Sequence, residues 1–554
     1  MKVSRWTPAS VRALQDYSLA TFAHDLGAGV TVGLVALPLA MAFAIASGLT
    51  PQAGIYCAIV TGFLISLLGG SRYQIGGPTG AFVVVVAGIV TEHGVSGLYM
   101  VTMMAGVMLM ILGITGMGAA VKYLPRPVII GFTNGIAVLI ASTQIRDFFG
   151  LRMAEVPAEF AARMQALVHA SGSISLAATL LAIASLTVVI VLRKTVPRVP
   201  GTIVALVGGA AAAAVLGLDV DTIASRFGGI PAGLPAPHFP AFEGALIPVL
   251  LRPALTVAML GAIESLMSAV VADRMGNDQH NPNMELIAQG VANVASPVFG
   301  GLPATGAIAR TATSIRSGAR SPVAGMLHAV TLLVVLLVAA PLAGYIPMAV
   351  LAALLFVVAY NMGEWHEIPQ LLKLTKTDIL VWIVTFGLTV FADLTLAVEI
   401  GMILAALLFI RRVSSTTTVS LVTSEYIESG RPHSLQDQTI PPYVAIFRIH
   451  GPLLFGTTDK VAIITAGLEQ LPPIVIVRLR NMTAIDATGL KALEEVAERV
   501  RASGRTLLLC GAREQPTAVI TAANFDRHLG PGNICLDIQT ALERARELHR
   551  AAAV

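Results

Sequence analysis

The stretch Gly76-Gly77-Pro78-Thr79-Gly80-Ala81 has a counterpart in Gly300-Gly301-Leu302-Pro303-Ala304-Thr305-Gly306-Ala307. Each opens an apolar run too short to cross a bilayer, Pro78 to Val90 in the first case and Pro303 to about Ser314 in the second. A half-length helix entered through Gly and Pro ends inside the hydrocarbon. Its free backbone groups are tolerated there only if they line a polar cavity. Around these two lie twelve runs of spanning length, near 26–47, 52–69, 97–117, 128–145, 174–192, 201–217, 249–271, 285–299, 321–341, 346–362, 376–392 and 394–410. Counted with the twelve, the short segments come third and tenth, matching places in two halves of seven. Seven is odd, so the second half runs inverted. The pattern predicts an α-helical polytopic membrane protein, 14 transmembrane segments in a 7+7 inverted repeat, with the broken pair marking the binding site. The alternative is two re-entrant turns that serve only packing.

Composition agrees. Of 554 residues only 12% are charged and 55% are hydrophobic, where a soluble domain carries roughly 25% charged residues. So much apolar surface needs lipid as solvent. Three cysteines, Cys57, Cys510 and Cys535, make neither a disulfide framework nor a thiolate metal site. The net charge of +4 calls for no nucleic acid, because the positive-inside bias accounts for it. Residues 1–25 hold no apolar core of a secretory signal. Fourteen crossings put both termini on one side, together with Lys2, Arg5, Arg12, Arg72, Lys122, Arg126, Arg193, Lys194, Arg198, Arg274, Arg316, Arg320, Lys373, Lys376, Arg411 and Arg412. The other side holds mainly Arg146, Arg152, Arg163 and Arg226. The richer face, with both termini, is therefore read as cytoplasmic.

The character changes after Arg412. Residues 413–440 are polar and Ser/Thr-rich and read as a linker. From Tyr443 strand-like runs (Val444–Ile449, Ile474–Leu479, Thr506–Cys510, Ile534–Asp537) alternate with helical ones near 458–469, 488–502, 516–523 and 539–551. That alternation predicts a small α/β domain. The expected order is a cytoplasmic N-terminus 1–25, a membrane domain 26–412, a linker 413–440 and a soluble domain 441–554.

Glu264 sits in the middle of a span, where an acid is expensive and faces a cavity or a partner. It is the candidate for ion coupling, with Ser268 one turn on and on the same face. Arg310 follows the second short segment. A guanidinium stays charged and matches carboxylate or sulfate geometry. Beside two opposed helix N-termini it makes an anion site. Pairing with Glu264 is the competing role. Phe43 and Phe82 are weaker candidates for walls, and Glu399 in the last span reads as a structural acid. His366-Glu367 lacks the second histidine of a metalloprotease helix, and no Walker-type phosphate loop is present. No metal, cofactor, nucleophile–base pair or ATP drive is expected.

These residues resemble the SulP/SLC26 anion transporter family along the whole chain. The resemblance rests on Leu37-Pro38-Leu39-Ala40-Met41-Ala42-Phe43, Gly69 to Arg72 with Gly77-Pro78-Thr79, Met259 to Ser265, Pro303 to Arg310, and Ile485-Asp486-Ala487-Thr488-Gly489-Leu490. Within the family, Ala262 to Leu266 and Ile308 to Arg310 are most similar to a bacterial C4-dicarboxylic acid transporter. The resemblance implies core and gate domains and an anion held among Phe43, Pro78, Thr79, Gly80, Ala81, Phe82, Ala307, Ile308, Ala309, Arg310 and Thr311. It implies a homodimer in the bacterial inner (plasma) membrane and a C-terminal STAS domain that engages a soluble cytoplasmic partner. Thr488 matches a phosphorylatable serine of anti-sigma factor antagonists. Asp486 and Thr488 read equally as caps of the helix that follows. Sodium-coupled bicarbonate relatives have Asp at the position of Glu264 and lack the arginine. The expected activity is therefore proton-coupled uptake of a C4-dicarboxylate or sulfate. Sodium-coupled bicarbonate uptake, or a membrane sensor signalling through the STAS domain, are the alternatives.

Overall fold

The computed structural model describes residues 6–118, 125–153, 156–157, 159–196, 199–392, 394–422 and 440–552. Lys2, Arg5, Lys122, Arg198 and residues 423–439 of the expected linker lie outside the described residues. The chain forms two compact units, 1–403 and 404–554.

The first unit is helical. The helices that make up the repeat are α1 (Leu19–Ala46), α2 (Pro51–Leu68), α3 (Gly80–Ile114), α4 (Arg126–Phe149), α5 (Leu176–Thr195), α6 (Gly201–Val215), α7 (Ile247–Gly276), α8 (Pro282–Ala295), α9 (Ile308–Arg316), α10 (Val323–Ala343), α11 (Met348–Met362) and α12 (Lys376–Phe391), with short helices in the connections between them. Helix α13 (Leu394–Thr416) runs from this unit into the second. Among the described residues, eight helices are long and apolar enough to cross a membrane. Of the others, α6, α8, α9 and α12 are shorter, and α13 runs for 23 residues.

The first half-helix and the span near 97–117 follow one another as α3: two helices meet at Gly94, whose φ of 67° and ψ of −176° are not helical and which only glycine adopts readily. Counting α3 as two, the protein has the fourteen segments of a 7+7 inverted repeat.

The inverted symmetry shows in the packing. Helix α3 packs on α7 and α8, and its counterpart α10 packs on α1 and α2. Small residues let these helices approach closely. A Cβ on Gly290 of α8 would lie 2.5 Å from the Gly106 carbonyl of α3, and one on Gly106 would lie 2.7 Å from the Gly290 carbonyl. At the centre, β1 (Gly76–Gly77) pairs antiparallel with β2 (Thr305–Gly306), Gly76 opposite Gly306 and Gly77 opposite Thr305. Two copies of one motif related by a two-fold axis must run antiparallel where they meet on it. Helices α1–α3 and α7–α10 gather around this ladder as the core domain. Helix α4 packs on α11 and α12, and α5 packs on α6 and α11, forming the gate.

The second unit holds a five-stranded sheet in the order β3 (Thr418–Leu421), β4 (Val444–His450), β5 (Ile474–Asn481), β6 (Thr506–Cys510), β7 (Ile534–Cys535). Strand β3 is antiparallel to β4 and the others are parallel. Part of the expected linker is therefore structured: α13 continues to Thr416 and β3 joins the sheet edge. Alternation along the strands builds two cores. Phe447, Val475, Val477 and Leu509 face α14 (Ala487–Ala502) and α15 (Glu514–Ala522). Ile446, Ile476, Leu508 and Cys510 face α16 (Ile538–Ala552). Burial pushes the Cys510 thiol up to about 12, so it stays protonated and inert. The helical run near 458–469 is broken into one-turn pieces, and β7 stops at Cys535, two residues short of the expected end.

Candidate functional site

A cavity of about 300 Å³ lies between core and gate. Both broken segments reach it: Thr79, Gly80 and Ala81 from the start of α3, and Ala307, Ile308, Ala309 and Arg310 from the start of α9. The sequence's pair of short helices is thus brought to one place, with each helix beginning just beyond its strand of the central ladder. Neither helix start has a side-chain cap, so N–H groups at both are left to whatever occupies the cavity. Phe43 from α1 lines the cavity as well.

Glu264 on α7 also lines the cavity. Its Oε2 accepts a hydrogen bond from Thr79 Oγ1 at 2.8 Å. This bond ties the acid of the second repeat to the broken segment of the first. Arg310 faces the same cavity but is only 4% exposed. Its guanidinium donates to the Pro78 carbonyl and, at 3.5 Å, to the Gly76 carbonyl. The competing role read from sequence, an Arg310–Glu264 ion pair, is absent: among the described residues no salt bridge joins them within 4.0 Å. Two carbonyls hold the guanidinium while leaving its charge uncancelled, so an anion can use it.

Gly77 explains how Arg310 fits. Its φ of 146° suits glycine, and a Cβ there would collide with the guanidinium. The ladder behind is fixed by hydroxyls. Ser265 Oγ donates to the Gly261 carbonyl at 2.5 Å and bonds Thr305 Oγ1 at 2.7 Å. Asn293 holds the Ala304 backbone through both its N–H and its carbonyl, each at 2.8 Å.

Four expected site residues sit elsewhere. Phe82 is 1% exposed and packs in the core cluster, because the third residue of α3 turns away from the cavity. Pro78 contributes its carbonyl to Arg310 and no wall. Thr311 Oγ1 accepts the Ile75 N–H at 3.0 Å and bonds Ser268 Oγ at 3.2 Å. Ser268 therefore belongs to the ladder's support, and it does not share a site with Glu264. Glu399 is the structural acid it reads as, bonded by Arg252 at 2.8 and 3.3 Å. Sequence reasoning missed the gate wall, including Phe132, Asn361 and Glu364. Glu364, the first acid past an apolar helix, was the available signal.

In the second unit Asp486 caps α14: Oδ1 accepts the Gly489 N–H at 2.8 Å and Oδ2 the Phe455 N–H at 3.0 Å. Thr488 is exposed in the first turn.

Comparison with known proteins agrees with this architecture. The profile of the sulfate permease family matches residues 22–385, and that of the STAS domain matches residues 436–541. YvdB of Bacillus subtilis, a proposed sulfate transporter, is 41% identical over 518 residues, 93% of this chain and 96% of the relative. The bicarbonate transporter BicA of Synechocystis is 32% identical over 534 residues, 94% of both chains. The solved transmembrane domain of a cyanobacterial BicA superposes with a TM-score of 0.62 at 33% identity, covering 70% of this chain and 98% of that one. SLC26A9 superposes with a TM-score of 0.86 at 18% identity over 98% of this chain and 93% of that one, a likeness of fold.

Proposed function

The chain belongs to the sulfate permease family, a family of multi-pass anion transporters, and from that premise we propose that it is a proton-coupled secondary transporter of a small divalent anion, a C4-dicarboxylate or sulfate. One observation carries the reading. Two uncapped helix starts, a guanidinium with uncancelled charge and a carboxyl group open onto a single cavity between core and gate. Backbone N–H groups and Arg310 attract the anion. Glu264 repels it while ionised. A proton on Glu264 removes that repulsion, so anion and proton load together. The hydroxyl of Thr79 reports the state of Glu264 to the helix start that holds the anion. The core then carries both past the gate by alternating access.

The protein works in this reading as a homodimer in the bacterial plasma (inner) membrane with both termini cytoplasmic. Asp486 and Thr488 mark the STAS surface for a soluble partner. Phosphorylation of the exposed Thr488 would place a dianion at a helix N-terminus, where it is well tolerated.

Purified protein in liposomes will accumulate labelled succinate or sulfate faster under an inward proton gradient. Glu264→Gln will bind anion yet lose gradient-driven accumulation. Full accumulation by that variant overturns the coupling role. Identity to BicA supports a second reading, sodium-coupled bicarbonate uptake. It is distinguished by stimulation with sodium at constant pH and by bicarbonate outcompeting succinate and sulfate.

A further inference from the structure

On the flank of the gate, α4 and α11 leave a groove of about 370 Å³. Its floor is small: Ala137 and Ala141 of α4 and Ala359 of α11. Its walls are Phe160, Phe356 and Trp365. The lining is apolar, and at one end stands Tyr360, 70% exposed. The groove lies in the membrane-spanning unit, so its surroundings are hydrocarbon. We propose that it holds one acyl chain of an anionic phospholipid.

Three observations favour that occupant. An α-helix is about 10 Å across even in its slimmest form, too thick for a slot of this volume, whereas a single hydrocarbon chain enters it. Trp365 and Tyr360 mark one end with the aromatic side chains that settle at a membrane–water interface, and the Trp365 Nε1–H donates to the Tyr360 carbonyl at 2.9 Å. Arg193 is exposed and donates from Nη1 to Asn361 Oδ1 at 2.9 Å, on the residue that follows Tyr360 in the chain. Among the described residues its other N–H groups have no partner and can meet a headgroup phosphate.

The position gives the lipid a purpose. Ala137 neighbours Ile136, and Ala359 neighbours Val358, and both of those residues line the anion cavity on the other side of the same helices. A chain seated in the groove braces the gate wall against the moving core.

The test uses the full chain in vesicles whose phosphatidylglycerol or phosphatidylcholine carries bromine on the acyl chains. The three tryptophans are Trp6, Trp365 and Trp382, so Trp6→Phe with Trp382→Phe leaves Trp365 as the reporter. Brominated phosphatidylglycerol is expected to quench it at lower mole fraction than brominated phosphatidylcholine. Arg193→Gln should erase that difference, and Ala141→Phe should lose most of the quenching by filling the floor. Ala141→Leu serves if the larger residue prevents folding. Unchanged quenching in the filled variants overturns the proposal, because Trp365 then senses only bulk bilayer. So does a disulfide between copies of an Ala141→Cys variant, which would put a second chain over the groove.

Discussion

The two broken segments start alike and end differently. After β1 the helix opens with Gly80, Ala81 and Phe82. After β2 it opens with Ile308, Ala309 and Arg310. The third helical position is thus Phe in one repeat and Arg in the other. Phe82 turns into the core, and Arg310 reaches across the two-fold axis to the Gly76 and Pro78 carbonyls of the first repeat. The repeated scaffold supplies two matched N-termini. One arginine in the first turn of the second helix supplies the charge and makes a symmetric frame hold an asymmetric site.

That contrast is open to direct attack. The largest effect belongs to Arg310→Gln. A charge-assisted contact worth up to about 3 kcal/mol is lost, so succinate or sulfate uptake should fall by roughly a hundredfold. Phe82→Leu should do the reverse, lowering the melting temperature while leaving the KM for uptake in place. If the two variants lower uptake alike, the division of labour is wrong.

Gly77→Ala comes next. Its methyl group displaces the guanidinium without removing it, and about a tenfold rise in KM is expected, for the strain and lost contact together amount to about 1.4 kcal/mol. Thr79→Val removes the hydroxyl that Glu264 accepts from. About 1 kcal/mol is at stake, so gradient-driven uptake should drop about fivefold. Thr79→Ser should restore it. The smallest effect is in the soluble unit. Asp486→Ala forfeits the cap of α14 and should lower that unit's stability by about 1 kcal/mol, read by thermal unfolding, with uptake unchanged.

How much of this the sequence shows depends on contrast against background. The spans are legible because apolar runs of roughly 17 residues or more match the thickness of a bilayer and seldom occur in a water-solvated fold. Glu264 and Arg310 are legible because charge stands out in such runs. The β1–β2 ladder is hidden, since two residues per strand leave no periodicity to read. Side-chain direction is hidden as well. Phe82, Ser268 and Thr311 fall beside the right residues in order, yet helical geometry turns Phe82 into the apolar core and the other two to the ladder. Strand β3 is masked by its Ser/Thr-rich surroundings, which resemble those of a tether.

The antiparallel pairing of Gly76–Gly77 with Thr305–Gly306 has a mechanical meaning. Each repeat's entrance is hydrogen-bonded to the other's, and Arg310 of one is clasped by carbonyls of the other. The cargo seat is therefore a single riveted plate. It cannot open by bending one half, so the transport proposed above requires the whole plate to slide past a stationary wall.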